Sequence, residues 1–176
     1  MARSPHELGA GDWAVLALLA EQPTHGFAVA RALAPDGEIG KVWSVRRPLV
    51  YRAIDSLSEM RFAAPTGTVP SPSGPRRTVV AATDAGRAAV DAWLVEPVGH
   101  VREARSLLML KLLFLSRRGQ DPAPLLNAQR AAFAAHAARL ADAAEAADGF
   151  DEVLIRWRLE STNAAIRFID GLLSSG

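Results

Sequence analysis

Apolar side chains recur at helical spacing at the start of the chain. Residues 12–20 are apolar on almost every side, which predicts a mostly buried helix that ends at Gln22-Pro23. A second helix is expected over residues 25–33, with Thr24 as its N-terminal cap. Its predicted apolar face consists of Phe27, Val29, Ala30 and Leu33. These two stretches predict a helical N-terminus with one short connection.

A third helix has the clearest start signal in the chain. Pro48 suits a first helical position, where the missing N–H costs nothing. The residues that then face the core at helical spacing are Val50, Ala53, Ile54 and Leu57. Those on the opposite face are Tyr51, Arg52, Asp55 and Glu59. The helix therefore presents a tyrosine and an arginine outward, with Arg46 and Arg47 at or before its N-terminus.

The pattern then changes from helical to extended. Residues 63–69 and 76–82 read as two strands, joined by a Pro/Ser/Gly turn at 70–75. Thr83-Asp84 is expected to cap a fourth helix over 85–95. Three helices, a hairpin and a further helix are the order of a winged helix-turn-helix, although other small α+β domains share it.

Only helix is predicted beyond the junction at 97–100, over residues 101–117, 122–147 and 150–173. The last of these carries apolar side chains on one side, at Phe150, Leu154, Trp157, Ala165, Phe168 and Leu172. Three helices with such wide apolar faces cannot all be buried within about 75 residues of one chain, so a second copy is expected to cover them. The predicted fold class is mainly α (α+β), with a winged helix-turn-helix domain at 1–97 and an all-helical dimerisation domain at 98–176.

Composition narrows the classes of function. The 176 residues include no cysteine, which excludes disulfides and thiolate metal sites, and the four histidines are dispersed without partners at metal spacing. No catalytic triad order, glycine-rich phosphate loop or paired carboxylates are apparent, so neither enzyme activity nor a metal or cofactor is expected. The first ten residues lack a signal-peptide core, and the most apolar run, 107–115, is interrupted by Lys111 and is too short to span a membrane. A soluble, cytoplasmic protein is expected.

The positive charge is local. The whole chain has a net charge of +1, but residues 41–77 hold seven basic and two acidic side chains, whereas residues 96–176 are balanced. Six of the seven basic side chains are arginines, which suit forked contacts with phosphate and guanine. A set of solvated surface arginines would give the same charge balance.

Several motifs resemble the PadR family of transcriptional regulators. Thr24-His25-Gly26-Phe27 is similar to the family's His-Gly-Tyr turn, and residues 48–57 are similar to its recognition helix. Arg76-Arg77 and Thr83-Asp84-Ala85-Gly86-Arg87 resemble its wing and its Thr-x-x-Gly-Arg motif. The likeness spans about residues 12–95, and the helical remainder resembles the virulence-activator branch in length and helicity.

The resemblance implies a homodimeric repressor or activator, often one that answers to a small effector. Two positions depart from the family pattern. Arg46-Arg47 stands where smaller polar residues or glycine are common, and Arg61 follows Met60 where the family usually has a glycine. The base contacts are therefore expected to be this protein's own, and the start of the wing to differ in detail.

The candidate DNA-binding residues follow from both arguments. A helix reads bases with residues near its N-terminus, and a wing contacts a minor groove or the backbone. The residues assigned to double-stranded DNA are Arg46, Arg47, Tyr51, Arg52, Arg76 and Arg77. The alternative is that Tyr51 packs on its own domain and the arginines are only solvated.

A site for a small hydrophobic effector is a second hypothesis. Trp13, Trp93 and Trp157 lie on predicted helices, and flat rings suit the walls of an apolar ligand site. The alternative is that the tryptophans are core residues. The function predicted is thus a DNA-binding homodimeric regulator on a palindromic operator. The rivals are a winged helix that binds another protein without DNA, and a small-molecule carrier.

Overall fold

The structure is a computed structural model that describes residues 8–71 and 74–174. Two sequence predictions concern residues outside these ranges: the absence of a signal peptide, which depends on residues 1–7, and the centre of the turn at Pro72-Ser73. Within the described ranges, no helix has the length and apolar character needed to cross a membrane.

The described residues contain seven α-helices and three β-strands, which confirms the predicted fold class. In chain order they are α1 (Ala10–Glu21), β1 (Thr24–His25), α2 (Gly26–Ala32), α3 (Arg47–Glu59), β2 (Ala63–Ser71), β3 (Gly74–Ala82), α4 (Asp84–Val95), α5 (Met109–Arg117), α6 (Ala123–Ala146) and α7 (Gly149–Ser174). A 3-10 turn, Val101–Glu103, and a π-helical turn, Ala104–Leu108, precede α5, where the sequence predicted one continuous helix.

The chain divides into two compact units. The first contains the described residues up to Leu94 together with Met109–Gly119, and the second contains Val95–Leu108 together with the described residues from Gln120. Helix α5 thus packs within the first unit. The single boundary between residues 97 and 98 stays a prediction.

The first unit has the architecture of a winged helix. The predicted core face of α3 is confirmed, because Val50, Ala53, Ile54 and Leu57 are all buried. The three strands form one antiparallel sheet in the order β1-β3-β2. A register shift between Pro65 and Gly67 interrupts the β2–β3 ladder, and such bulges increase local twist.

The start of α2 differs from the sequence prediction. Thr24 does not cap the helix, because it is drawn into β1, where it pairs with Val80 of β3. His25 is the cap instead, and its Nδ1 accepts a hydrogen bond of 3.0 Å from the backbone N–H of Ala28. Phe27 was predicted to face the core and is 39% exposed. It lies at the second position of a two-turn helix whose later residues Val29 and Ala30 are buried.

Aromatic rings connect α1, α4 and α5 in the core of the first unit. Trp13 and Trp93 stack with ring centroids 5.0 Å apart and planes 6° from parallel. Phe114 of α5 packs edge-on against Trp93 at 6.5 Å. The buried Lys111 donates a hydrogen bond of 2.6 Å to the carbonyl of Trp93, at the C-terminal end of α4 where a cation is favoured.

The second unit is built around the pairing of α6 and α7. Gln129 of α6 is fully buried, and its amide makes both a donor and an acceptor contact with the backbone of Val98, at 3.1 and 2.7 Å. Arg130 of α6 forms an ion pair with Asp170 of α7. These contacts fix the segment after α4 and the register of the two helices.

One long side of α7 is apolar and exposed. Its members follow each other at intervals of three, four, eleven and four residues, so they form one stripe along the helix. They are Phe150, Val153, Trp157, Phe168 and Leu172. Phe150 and Trp157 are 77% and 71% exposed, whereas Thr162 and Ile169, on another side, are fully buried. The exposed stripe therefore has no cover among the described residues.

Arg61 adopts a left-handed conformation, with φ of 60°, at the position where the PadR pattern usually has glycine. Its backbone closes the turn, because its carbonyl accepts a hydrogen bond of 2.7 Å from the hydroxyl of Thr83. The same hydroxyl caps α4 by accepting a hydrogen bond from the N–H of Gly86.

We expect Arg61→Gly to raise the free energy of unfolding by about 1 kcal/mol, since removing the β-carbon relieves left-handed strain. Urea denaturation checks this. Arg61→Ala keeps the β-carbon and should show no such gain; equal gains in both variants would contradict the explanation.

Candidate nucleic-acid interface

The N-terminus of α3 places arginines at the first turn. Arg46 is the extended residue that precedes the helix, Arg47 is its first helical residue, and Pro48 follows. All three side chains are exposed. The unsatisfied backbone N–H groups and the positive end of the helix dipole are found at this same terminus. Two arginines and a helix terminus therefore combine their positive potential at one end of α3.

A groove of about 740 Å³ lies between α3 and the β2–β3 hairpin. Four of the six candidate DNA-binding residues line it: Arg47 and Tyr51 from α3, and Arg76 and Arg77 from β3. Phe27 of α2 is also part of its wall. The structure thus brings α3 and the β2–β3 hairpin together over one concave surface.

Tyr51 is held by a close approach to α2. A β-carbon on the buried Gly26 would lie 2.7 Å from Cε1 of Tyr51, closer than real side chains permit. Glycine at this position therefore lets the tyrosine ring rest on the first turn of α2. The ring is still 40% exposed, so its outer part reaches the groove.

The two wing arginines are held differently. Arg76 donates hydrogen bonds from Nε and Nη2 to the hydroxyl and carbonyl oxygens of Thr68 on β2, at 2.9 and 3.1 Å. Arg77 instead places its Cζ 4.4 Å from the ring centroid of Phe27. Arg76 is thus tied to the hairpin itself, and Arg77 is turned toward α2.

Arg46 and Arg52 do not line the same groove. They line a second depression of about 560 Å³, beside the start of α1, together with the partly exposed Trp43 and Leu49. Because α3 separates the two depressions, the six candidates occupy both flanks of this helix.

The electrostatics of the first groove are dominated by uncompensated cations. Among the described residues, neither Arg47 nor Arg77 forms an ion pair or a hydrogen bond through its guanidinium. Asp55 lines the groove but lies beyond ion-pair distance of both. By contrast, Arg117 of α5 is paired with Glu21 and Glu38, each at 2.7 Å.

The tryptophans assigned to an effector are distributed between the two units. Trp13 and Trp93 are stacked directly on each other and are 8% and 4% exposed, so their facing surfaces are occupied by one another. Trp157 belongs to α7 in the second unit and is largely exposed. The assignment of these three residues to an effector stays a prediction.

Sequence reasoning missed Phe27 as a residue that lines the groove. Its place in an apolar helical pattern indicated a core residue, and only its position beside His25 and Gly26 set it apart. In the structure Phe27 lies in the first turn of α2 and lines the groove beside the hairpin.

Comparison with solved structures gives several matches, each with a TM-score below 0.5. Bacillus subtilis PadR in complex with operator DNA is 20% identical, with a TM-score of 0.46 over 92% of this chain and 97% of that one. Bacillus subtilis PadR in complex with p-coumaric acid is 18% identical, with a TM-score of 0.45 over 95% and 98% of the two chains. The protein smu.1604c from Streptococcus mutans UA159 is 14% identical, with a TM-score of 0.44 over 93% and 98%.

Sequence comparison gives a relative and a family model that match part of the chain. The probable transcriptional regulator Rv1176c of Mycobacterium tuberculosis is 32% identical over 92 residues, which are 52% of this chain and 47% of that protein. The matched segment thus spans about half the length of that relative. The model of the transcriptional regulator PadR-like family matches residues 15–92, from the middle of α1 to α4. That family consists of regulators rather than enzymes, as the sequence predicted. The predicted resemblance is confirmed over residues 15–92, where this chain matches the PadR-like family of transcriptional regulators.

Proposed function

We propose that this regulator binds double-stranded DNA in a sequence-specific manner, with α3 in the major groove and the β2–β3 hairpin on the flanking backbone. The observation that carries the proposal is the convergence of Arg47 from α3 and Arg77 from β3 on one groove without carboxylate partners among the described residues. Unpaired guanidiniums on a concave surface favour an anionic, extended ligand.

The candidate residues divide by role. Arg46, Arg47 and Tyr51 stand at the N-terminal half of α3, the part that reaches base edges in helix-turn-helix proteins. Arg52 lies on the other flank of the helix, where it suits a phosphate contact. Arg76 and Arg77 extend the contact along the hairpin. We thus assign the contacts with bases to the N-terminal part of α3, and the contacts with the DNA backbone to Arg52 and the hairpin.

A homodimer is proposed for the exposed stripe of α7. Large apolar side chains on one side of a 26-residue helix, with Trp157 71% exposed, are typical of an interface rather than of a solvated surface. A second copy of the same stripe would cover it with a two-fold axis. Two recognition helices related by such an axis match a palindromic operator with half-sites about one helical turn apart.

Repression is the proposed outcome of binding, since a dimer that covers one face of a promoter excludes other proteins from it. Release by a small hydrophobic effector completes the hypothesis, and it requires that the effector bind the two conformational states of the dimer with different affinity. Titration with a panel of hydrophobic ligands, with tryptophan emission as the signal, tests whether an effector binds. Trp157 is the one tryptophan of the three whose ring is open to solvent.

The test of DNA binding is fluorescence anisotropy on tiled fragments that flank the protein's own gene, at several salt concentrations. Tight binding to one fragment that weakens steeply as salt rises would support the proposal. Absence of preference among fragments, with weak or salt-insensitive binding, would favour the rival function, a winged helix that binds another protein.

Arg47→Ala is expected to weaken operator binding about 10- to 100-fold, because it removes a guanidinium that is free to contact a base or a phosphate. If the contact is to phosphate, the slope of log affinity against log salt also falls by about 0.9. Arg139→Ala is the matched control, since it removes one exposed arginine from α6. Equal affinities of parent, Arg47→Ala and Arg139→Ala would show that α3 is not the recognition helix.

A further inference from the structure

Phe27 is an apolar side chain in an unusual position. It is 39% exposed at the second residue of α2, on the wall of the groove between α3 and the hairpin. Neighbouring residues of the same helix, Val29 and Ala30, are buried in the core. Burial in the domain core therefore does not explain why an aromatic ring occupies this site.

Two arginines from different elements approach this ring. The guanidinium carbon of Arg77, on β3, lies 4.4 Å from the ring centroid, and that of Arg47, on α3, lies 5.4 Å from it. Arg47 is also 5.8 Å from the ring centroid of Tyr51. All three distances fall within the range in which the negative face of a ring attracts a cation. The two guanidinium carbons therefore lie within about 10 Å of each other.

Like charges held this close repel each other unless something compensates them. In the part of the chain that the structure describes, neither Arg47 nor Arg77 has a carboxylate partner. The ring faces of Phe27 and Tyr51 supply partial compensation, and an anion between the two guanidiniums would supply the rest. This arrangement of the two guanidiniums therefore favours the binding of a polyanion.

We propose that Phe27 is a positioning residue that couples the wing to the recognition helix. By attracting Arg47 and Arg77 to one ring, it holds both guanidiniums over the groove before DNA arrives. The two arginines then bind the DNA as one paired contact. This inference rests on the DNA binding proposed above, and it assigns to α2 a part in recognition.

The chemistry requires a ring rather than apolar volume alone. Leucine fills similar space but has no quadrupole to attract a guanidinium, and both arginines would then lose side-chain freedom only on binding DNA. Tyrosine retains the ring face. Phe27→Leu and Phe27→Tyr therefore form a matched pair that separates attraction of the cations from packing.

The first measurement needs no DNA. Guanidinium Nε–H signals of Arg47 and Arg77, assigned by single substitutions, should show ring-current shifts in the free protein. In Phe27→Leu we expect the shift of Arg77 to be lost and that of Arg47 to fall to what the ring of Tyr51 contributes, whereas Phe27→Tyr should keep both shifts. Unchanged shifts in Phe27→Leu would overturn the inference whatever the protein binds.

The second measurement is a double-mutant cycle on the best fragment from the tiling experiment. In the parent, the losses of affinity from Arg47→Ala and Arg77→Ala should be non-additive, and in the F27L background they should add. Phe27→Leu alone should weaken binding about tenfold with an unchanged melting temperature, and Phe27→Tyr should bind like the parent.

The outcomes separate the two proposals. If the parent binds no fragment, the proposed function fails, and with it the coupling role, even where the ring-current shifts are present. If the parent binds DNA but Phe27→Leu binds equally well, or if the two arginines are additive in both backgrounds, only the role of Phe27 is overturned.

Discussion

Replacing both Trp157 and Phe168 with glutamate is expected to turn the proposed dimer into monomers. The two side chains are 71% and 47% exposed on the apolar stripe of α7, so glutamates there are solvated in a monomer. In a two-fold interface they would be buried without partners, which costs several kcal/mol for each charge. Association should weaken by at least about a thousandfold. Sedimentation equilibrium at micromolar concentration measures the change directly.

The control for this variant lies on the same helix. Arg167→Glu changes the net charge by the same two units at an exposed position on another side of α7. It should leave the dimer intact, and circular dichroism should show equal helix content in all three proteins. A parent that sediments as a monomer, or a double variant that still dimerises, would show that the stripe is not the interface. Loss of the dimer should also weaken operator binding, since two linked heads bind together.

Gly86→Ala is expected to destabilise the winged helix by about 3 kcal/mol or more. A β-carbon at this buried position of α4 would lie 2.0 Å from the carbonyl oxygen of Phe62, in the turn that joins α3 to β2. Backbone atoms cannot move aside as a flexible side chain does, so α4 and the turn must separate. The urea midpoint of unfolding should fall accordingly, with little change in the denaturant slope.

Gly67→Ala is the matched control within the same unit. A β-carbon at Gly67, on β2, meets no atom within 4 Å. This variant should therefore be as stable as the parent or slightly more stable, because alanine restricts the unfolded chain. If Gly86→Ala unfolded at the same urea concentration as Gly67→Ala, the close packing of α4 on the α3–β2 turn would be disproved.

Local pattern was sufficient for most elements of the fold. The 3.6-residue period of Val50, Ala53, Ile54 and Leu57 identified the buried face of α3, and Pro48 identified its start. Thr83 was correctly expected to cap α4. Such features depend on residues close in the chain, and the sequence therefore contains them directly.

The errors arose where a distant element competes with a local signal. Thr24 is a good helix cap by its chemistry, but β3 recruits it into the sheet, and His25 takes the cap. The segment 101–117 is helical by composition, yet its first turns are 3-10 and π-helical before α5 begins. For Thr24, the pairing with β3 is available only in the folded chain, and it decided the outcome.

The sequence by itself determined the order of the α-helices and of the two hairpin strands, the positive charge of residues 41–77 and the set of arginines proposed to contact DNA. Tertiary structure decided which of them act together. It placed Arg47 and Arg77 on the ring of Phe27, tied Arg76 to Thr68, and left Arg52 on the other flank of α3. It also stacked Trp13 on Trp93 and left Trp157 exposed. The reason is physical: periodicity specifies the face of an element, whereas the neighbours of a side chain depend on how separate elements pack.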